Sequence, residues 1–352
     1  MKRTYYTDLA ASGLRMPVGT DLVLHHKTDR AAILRDGARL GQVVAEAARR
    51  YQTPLAFPLM DLTVEKEALV TTLGGSSDEA ATYHFHEPLG SDEYQRLLDG
   101  IRDVRTVRMA ANSDALTFVA RNTDLVPVGM SIGPFSLMTK LISDPITPIY
   151  MAGSGVTSDE DDEVKLVEQC LALAEALIAR SLALQISAGA KAIFVCEPAA
   201  NVAFISPKQI NAGGDVFERY VMAPNLRLAA ILRSADVDLV FHDCGELTDQ
   251  MVREFTRLDP AIMSLGSSRC LWEDANLVPN STVLYGNLPT KKFYSDSETP
   301  VEVVCNMTRE LLAKMKAAEH PYILGSECDI LAVPGSMDAI LAKTEAFLSV
   351  KA

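Results

Sequence analysis

The apolar run Ala192-Ile193-Phe194-Val195-Cys196 is followed by a helical pattern over 208–234 and by a second apolar run, Val237-Asp238-Leu239-Val240-Phe241. Short apolar strands that alternate with helices indicate parallel strands that are buried on both faces. Further runs of this type occur at 54–59, 126–132, 261–265, 282–285 and 322–324. Their number predicts an α/β protein with a (β/α)8 TIM-type barrel rather than an open sheet of five or six strands.

The part of the chain before the first of these runs has a different pattern. Apolar residues recur at helical spacing around residues 30–51, which predicts an N-terminal helical extension over 1–50. The barrel is then expected over 51–352, with both parts in a single domain, 1–352. Within the barrel, apolar positions from Val164 onward predict one long amphipathic helix that ends at Gly189.

Charge and composition exclude several classes of function. The chain has 33 Lys plus Arg against 46 Asp plus Glu, a net charge of −13. Nucleic acids and anionic membranes need clustered basic residues, so neither is an expected partner. We find no secretory signal and no uninterrupted apolar segment of membrane-spanning length, and we expect a cytoplasmic protein. Six sparse cysteines in a reducing compartment indicate core residues or metal ligands rather than disulfides.

Active sites of (β/α)8 barrels lie at the C-terminal ends of the strands, so the polar residues that follow each apolar run are the candidates for chemistry. Apart from Asn287, each of these strand ends carries a side chain of the type that binds metals. The candidates are Asp61, Glu65, Glu197, His242, Cys244, Asn287, Glu327 and Cys328.

His242 and Cys244 form the clearest pattern among them. In an extended chain, the two-residue period directs both side chains to the same side and Asp243 to the other. Cys328 follows another strand and could complete a His-Cys-Cys set. Three protein ligands leave one tetrahedral position open, which is typical of a catalytic zinc site. The alternative is that these residues only pack in the core, where free cysteines are common.

Two other groups are weaker candidates for metal binding. His84 and His86 also share one face of an extended segment, but no strand precedes them and no cysteine is near them in sequence. Glu197 could be a fourth ligand, a carboxylate that orients His242, or simply the partner of a nearby basic side chain. The glycine pairs lack the context of a dinucleotide-binding or P-loop motif.

Six segments of the chain carry a resemblance to a known family, and they lie at 57–65, 133–137, 205–207, 242–245, 285–288 and 324–329. They are similar to segments of the uroporphyrinogen decarboxylase superfamily. Within it, the chain resembles the zinc-dependent methyltransferases that act on methylated corrinoid proteins, and the likeness spans nearly the whole chain. The family fold is a (β/α)8 barrel. The resemblance implies that His242, Cys244 and Cys328 bind Zn²⁺.

The resemblance also implies a reaction. A methyl group would move, in either direction, between a corrinoid protein and a small molecule such as a thiol, a folate or a methylated compound. No D-x-H-x-x-G segment is present, so the corrinoid is expected on a separate partner protein. Asp61 matches the acid that lines the substrate cavity across the superfamily, although it could also cap the following helix.

We assign predicted roles to the remaining candidates at the strand ends. Glu197 and Asp61 are predicted to be catalytic. Substrate binding is predicted for Asp61, Glu65, Phe135 and Asn287. Lys291 and Lys292 are the only adjacent lysines in this acidic chain, and we expect both to contact the corrinoid partner unless they merely belong to a solvated loop.

Two alternative functions stay open. The first is tetrapyrrole decarboxylation, but the chain lacks the arginine-containing R-Q-A-G-R segment of the decarboxylases. It also has Leu324-Gly325-Ser326-Glu327-Cys328 where they carry L-G-H-G. The second is a non-catalytic, zinc-stabilised subunit that docks a corrinoid protein, against which the open ligand position argues.

Overall fold

The computed structural model describes residues 1–351 and contains eight parallel strands in one curled sheet. The predicted (β/α)8 TIM-type architecture is confirmed. The strands are β1 (Arg15–Met16), β2 (Leu55–Ala56), β3 (Val126–Ile132), β4 (Ala192–Cys196), β5 (Asp238–Asp243), β6 (Ile262–Leu265), β7 (Val283–Leu288) and β8 (Tyr322–Ser326).

The order of the strands in the sheet is β1-β8-β7-β6-β5-β4-β3-β2, so from β2 to β8 each strand lies beside its neighbour in sequence, and β8 pairs with β1. β1 and β2 are the two ends of this order. The hydroxyl of Thr20, just after β1, donates to the carbonyl of Phe57, just after β2, over 2.7 Å. This bond links the two ends of the curled sheet.

Helices surround the sheet and follow most strands, as the alternating pattern predicts. They are α1 (Arg3–Ala11), α2 (Thr20–His25), α3 (Arg30–Ile33), α4 (Gly37–Arg50), α5 (Val64–Thr72), α6 (Ser91–Asp103), α7 (Val107–Asn122), α8 (Pro134–Thr139), α9 (Ile146–Gly153), α10 (Asp162–Ser187), α11 (Pro207–Asn211), α12 (Ala223–Ser234), α13 (Asp249–Phe255), α14 (Leu271–Asp274), α15 (Val301–Ala317) and α16 (Met337–Ser349). Short 3-10 helices occupy Ser77–Ala81, Thr256–Leu258 and Thr290–Lys292.

Two parts of the chain differ from the sequence expectation. The helical pattern over 208–234 is divided into α11, a π-helical turn at Glu218–Met222, and α12. β1 lies inside residues 1–50, where only helices were expected; with two residues it is too short to show a strand period. The division into 1–50 and 51–352 stays a prediction, and its last residue lies outside the described part of the chain.

The inward-facing side chains of the strands form an apolar cluster that fills the barrel, including Phe57, Phe194, Val240 and Ile323. α1 is anchored at the N-terminal end of β5. Its Tyr6 hydroxyl donates to Asp238 Oδ2 over 2.9 Å, and the N-terminal amine lies 2.7 Å from the same oxygen. With the interior filled and this end anchored, chemistry is confined to the C-terminal strand ends.

The long helix predicted from Val164 onward is confirmed as α10. Asp161 caps it by accepting from the backbone N–H groups of Glu163 and Val164, and Gly189, with φ +100°, follows its end. By length and composition alone α10 could span a membrane, with a mean hydropathy of 1.5, but half of that apolar window is buried inside the protein. This burial is typical of a core helix. The cytoplasmic location stays a prediction.

Candidate metal centre

His242 supplies the first donor of the predicted metal site. It lies on β5 with 1% of its surface exposed, above the ring of Phe194. Its Nδ1 atom is 2.8 Å from the hydroxyl of Ser264, the residue opposite it on β6. Its Nε2 atom is buried without a hydrogen-bond partner. A buried polar atom without a partner is costly, and a ligand bound at Nε2 would remove this cost. Nε2 is therefore available to bind a ligand.

Cys244 and Cys328 lie beside this nitrogen. Cys244 follows β5, Cys328 follows β8, and their Sγ atoms are 3.9 Å apart. One donor atom from each of His242, Cys244 and Cys328 lies within 4.8 Å of the other two, and within residues 1–351 this is the only group of three or more potential ligands. One imidazole and two thiols fit Zn²⁺, which takes nitrogen and sulfur donors.

The surroundings of the two thiols are electrostatically asymmetric. The hydrogen-bond contact between the sulfurs of Cys244 and Cys328, together with His242 and Lys291, holds the pKa of the Cys244 thiol well below its usual range. The same sulfur contact and burial raise the pKa of Cys328. A thiolate at Cys244 is the form that binds a metal.

Three further residues lie at this cluster, and no pattern in the sequence indicated them. Lys291 contributes positive charge beside the thiols, Met60 Sδ lies 3.5 Å from Cys328 Sγ, and Ser264 orients His242. Ser264 could have been found from the strand register, because it faces His242 across β5 and β6. Lys291 and Met60 come from loops, whose approach no local pattern predicts.

Glu197 points away from the metal cluster. Its carboxylate accepts from the backbone N–H groups of Phe135 (3.2 Å) and Ser136 (2.8 Å), and from the side chain of Asn225 (2.7 Å). Burial raises the pKa of Glu197, while these hydrogen bonds oppose the rise. Gly133 is required here because a Cβ atom would lie 2.0 Å from the Glu197 carboxyl carbon. These contacts give Glu197 a positioning role at the start of α8; its catalytic role stays a prediction.

Glu65 is enclosed between the sheet and the outer helices. Its Oε1 atom accepts from the hydroxyls of Ser131 on β3 (3.0 Å) and Ser181 on α10 (2.9 Å), and its Oε2 atom has no partner. Burial raises the pKa of Glu65 to about 7. The predicted contact with substrate has no counterpart among these bonds and stays a prediction.

The raised pKa of Glu65 has a consequence for stability. The folded protein holds this proton up to about pH 7, whereas an ordinary glutamate releases it near 4.5, so stability falls as the pH rises between these values. We expect Glu65→Gln, which mimics the protonated form, to remove about 2 to 3 kcal/mol of this loss between pH 5 and pH 8. Urea unfolding of both proteins at the two pH values measures this difference. Equal losses of stability in the two proteins would contradict the raised pKa of Glu65.

Asp61 lies at the barrel rim, where it forms an ion pair with Arg108 and accepts from the backbone N–H of Thr63 over 3.0 Å. Burial acts to raise the pKa of Asp61, but Arg108 and Thr63 hold it below its usual value. Asp61 accepts from the N-cap residue Thr63 and from no backbone N–H group within α5, so it does not cap this helix, contrary to the alternative interpretation. Its catalytic and substrate-binding roles stay predictions.

The two other predicted substrate contacts are buried. Phe135 has no exposed surface and packs edge to face on Phe204. The Asn287 amide donates to the carbonyls of Gly266 (2.7 Å) and Arg269 (2.9 Å), which joins β7 to the loop after β6. Both therefore support the strand-end loops, and their contact with substrate stays a prediction.

His84 and His86 do not form a second metal cluster within the described residues 1–351. His84 is half-buried and His86 is exposed. Burial and the nearby Lys66 lower the pKa of His84.

Residues 24–338 match the family described as uroporphyrinogen decarboxylase (URO-D). The chain belongs to the uroporphyrinogen decarboxylase family. The family resemblance inferred from the sequence segments is thereby confirmed. No curated protein sequence matches this member of the family.

Among solved structures, this uroporphyrinogen decarboxylase family member is similar to a methyltransferase from Methanosarcina mazei. The TM-score is 0.64 at 16% sequence identity, and the match covers 95% of this chain and 91% of that protein. At this identity the similarity establishes a shared fold over nearly the full length of both chains.

Proposed function

We propose that this protein is a zinc-dependent methyltransferase that moves a methyl group between a corrinoid protein and a small molecule. The observation that carries the proposal is the His242, Cys244 and Cys328 cluster at the C-terminal end of the barrel, with the buried Nε2 atom of His242 left without a partner. The solved methyltransferase of the same fold supports it.

The three side chains would hold Zn²⁺ and leave one coordination position for a substrate. A bound zinc ion keeps a sulfur ligand deprotonated and therefore nucleophilic at neutral pH. Ser264 holds the imidazole of His242 through Nδ1, so that Nε2 faces the two sulfurs. Lys291 contributes a positive charge beside Cys244, which favours the thiolate.

The small methyl donor or acceptor is a thiol, a folate or a methylated compound, and the methyl group can travel in either direction in this proposal. The corrinoid is carried by a partner protein that docks at the strand-end face. Both adjacent lysines are exposed there, but Lys292 pairs with Glu298 at 3.5 Å, whereas the charge of Lys291 also acts on Cys244. Lys292 is therefore the better candidate for contact with the partner.

Tetrapyrrole decarboxylation is less well supported by the site. Its substrate carries several carboxylates, which need a matching set of basic groups. At the cluster itself the nearby cation is Lys291, and its charge acts on Cys244 and Cys328. A thiol-rich donor set favours metal-assisted transfer over carboxylate recognition.

The proposal is tested with free methylcobalamin and a series of thiols. We expect the zinc-loaded protein to demethylate methylcobalamin in the presence of a thiol. The change in the cobalamin absorption spectrum monitors this reaction. The purified chain should itself be colourless, because the corrinoid belongs to the partner. Decarboxylation of uroporphyrinogen without any methyl transfer would overturn the proposal.

Zinc removal separates catalysis from a purely structural metal. After chelation we expect loss of methyl transfer while the circular dichroism spectrum and the unfolding curve keep the features of a folded barrel, and zinc should restore activity. A structural site would instead lose fold and metal together. That result would favour the non-catalytic subunit.

A further inference from the structure

A basic pocket lies at the barrel rim after β2 and β3, apart from the metal ligands. It has a volume of about 500 Å³, and its floor includes Leu62 and Ala80. Its basic lining residues are Lys66 on α5, His84, Arg108 on α7, and Lys140 directly after α8. Four basic side chains thus meet in one concave site of a chain whose net charge is −13.

The acidic residues near this pocket are already engaged. Arg108 pairs with Asp61 and, at 3.3 Å, with Glu67. Neither Lys66 nor Lys140 has a carboxylate within 4.0 Å in the part of the chain that the structure describes. Lys140 Nζ reaches only the carbonyl of Leu62, at 3.4 Å. Neither lysine therefore has an ion-pair partner; burial lowers the pKa of Lys140, and the more distant charges of Asp61 and Glu65 oppose this only in part.

This arrangement is costly for the protein alone. Lys66 is only 6% exposed, and a buried lysine without an acidic partner is rare because desolvation opposes its charge. Burial lowers the pKa of Lys66, and so does the like charge of Lys140. An anion placed between the two ammonium groups would relieve both effects.

The pocket adjoins the metal cluster through one short segment of chain. Met60 contacts Cys328 through sulfur, at 3.5 Å. The next residue, Asp61, pairs with Arg108 in the pocket wall, and Lys66 lies one turn further on, in α5. Two consecutive residues thus contact the metal cluster and the pocket wall, respectively.

We propose that Lys66, Lys140 and His84 form an anion-binding site that takes a carboxylate or phosphate group. Lys66 and Lys140 provide charge-assisted hydrogen bonds, and Arg108, held by its ion pair with Asp61, forms part of the pocket wall. The binding of an anion at this site is independent of the proposed function. Only the further statement, that the bound group belongs to the methylated substrate, rests on the proposed function.

The test uses inorganic phosphate and acetate as probes of the full-length, zinc-loaded protein in isothermal titrations. We expect saturable binding of at least one probe, and the tighter probe identifies the group. Lys66→Met and Lys140→Met should each weaken this binding about tenfold or more, since each removes a charge-assisted hydrogen bond. Lys66→Arg should retain most of it because the charge is kept.

Two control variants separate this site from others. Lys292→Met removes an exposed lysine on another loop and should bind the probes as the unchanged protein does. Cys328→Ala removes a metal ligand and should also keep anion binding, even if methyl transfer is lost. Binding that disappears with Cys328→Ala, or that survives in both Lys66→Met and Lys140→Met, would overturn the proposal, as would the absence of saturable binding.

Discussion

Replacing Cys328 by serine should bring the zinc content of the purified protein well below one ion per chain and reduce methyl transfer by several orders of magnitude. Cys328 supplies one of three donors that lie within 4.8 Å of one another, and a hydroxyl is a much poorer zinc ligand than a thiolate. Cys244→Ser should have the same effect. Metal analysis and the methylcobalamin assay measure both losses.

Matched variants elsewhere in the chain make this result specific. Cys305→Ser changes a half-buried cysteine on α15 and should keep both zinc and activity. The double variant His84→Ala/His86→Ala should also keep its zinc. Full occupancy in both Cys244→Ser and Cys328→Ser would refute the metal site, and loss of zinc from the double histidine variant would point to the other pair.

The second large effect is expected on stability, from Glu197→Ala. The substitution leaves three buried N–H donors without an acceptor, namely the backbone N–H groups of Phe135 and Ser136 and one N–H of the Asn225 amide, which keeps its other bond to the Val221 carbonyl. Each unsatisfied buried group costs about 1 to 3 kcal/mol, so we expect a loss of about 4 kcal/mol in the free energy of unfolding. Urea unfolding measures it.

A surface carboxylate provides the control for this prediction. Glu175 pairs with Arg227 at the surface, and Glu175→Ala should cost less than about 1 kcal/mol. The experiment also tests the catalytic role predicted for Glu197. A Glu197→Ala protein that is as stable as the unchanged protein but has no methyl transfer would support catalysis and contradict the positioning role.

Much of the fold follows from local sequence patterns. Seven of the eight strands coincide with short apolar runs, because a parallel strand covered by helices on one side and by the barrel interior on the other is apolar throughout. β1 is the exception: it has two residues, one of them the charged Arg15, whereas the equally short β2 lies inside the longer apolar run 54–59. The start of α10 could also be predicted from the sequence, because Asp161 and the acidic residues after it are typical of a helix N-terminus.

The same uniformity explains why the direction of Glu197 was not predicted. All five residues of β4 are apolar, so their sequence does not tell which face is inward. The structure places Phe194 and Cys196 in the barrel interior, and alternation then directs Glu197 outward, toward α8. β5 differs from β4 because it carries polar residues near its end. His242 and Cys244 are both metal-ligand types two residues apart, so the sequence alone predicts that they lie on one side of the strand.

Local spacing was sufficient for the pairing of His242 with Cys244, because the two-residue period of an extended chain is a property of the backbone. It was not sufficient for Cys328, Lys291 or the pocket around Lys66. These groups meet their neighbours only when strands and loops far apart in sequence close into one barrel rim. Charge compensation there depends on distances between side chains that no local period encodes, and this is why the unpaired lysines become visible only in the folded molecule.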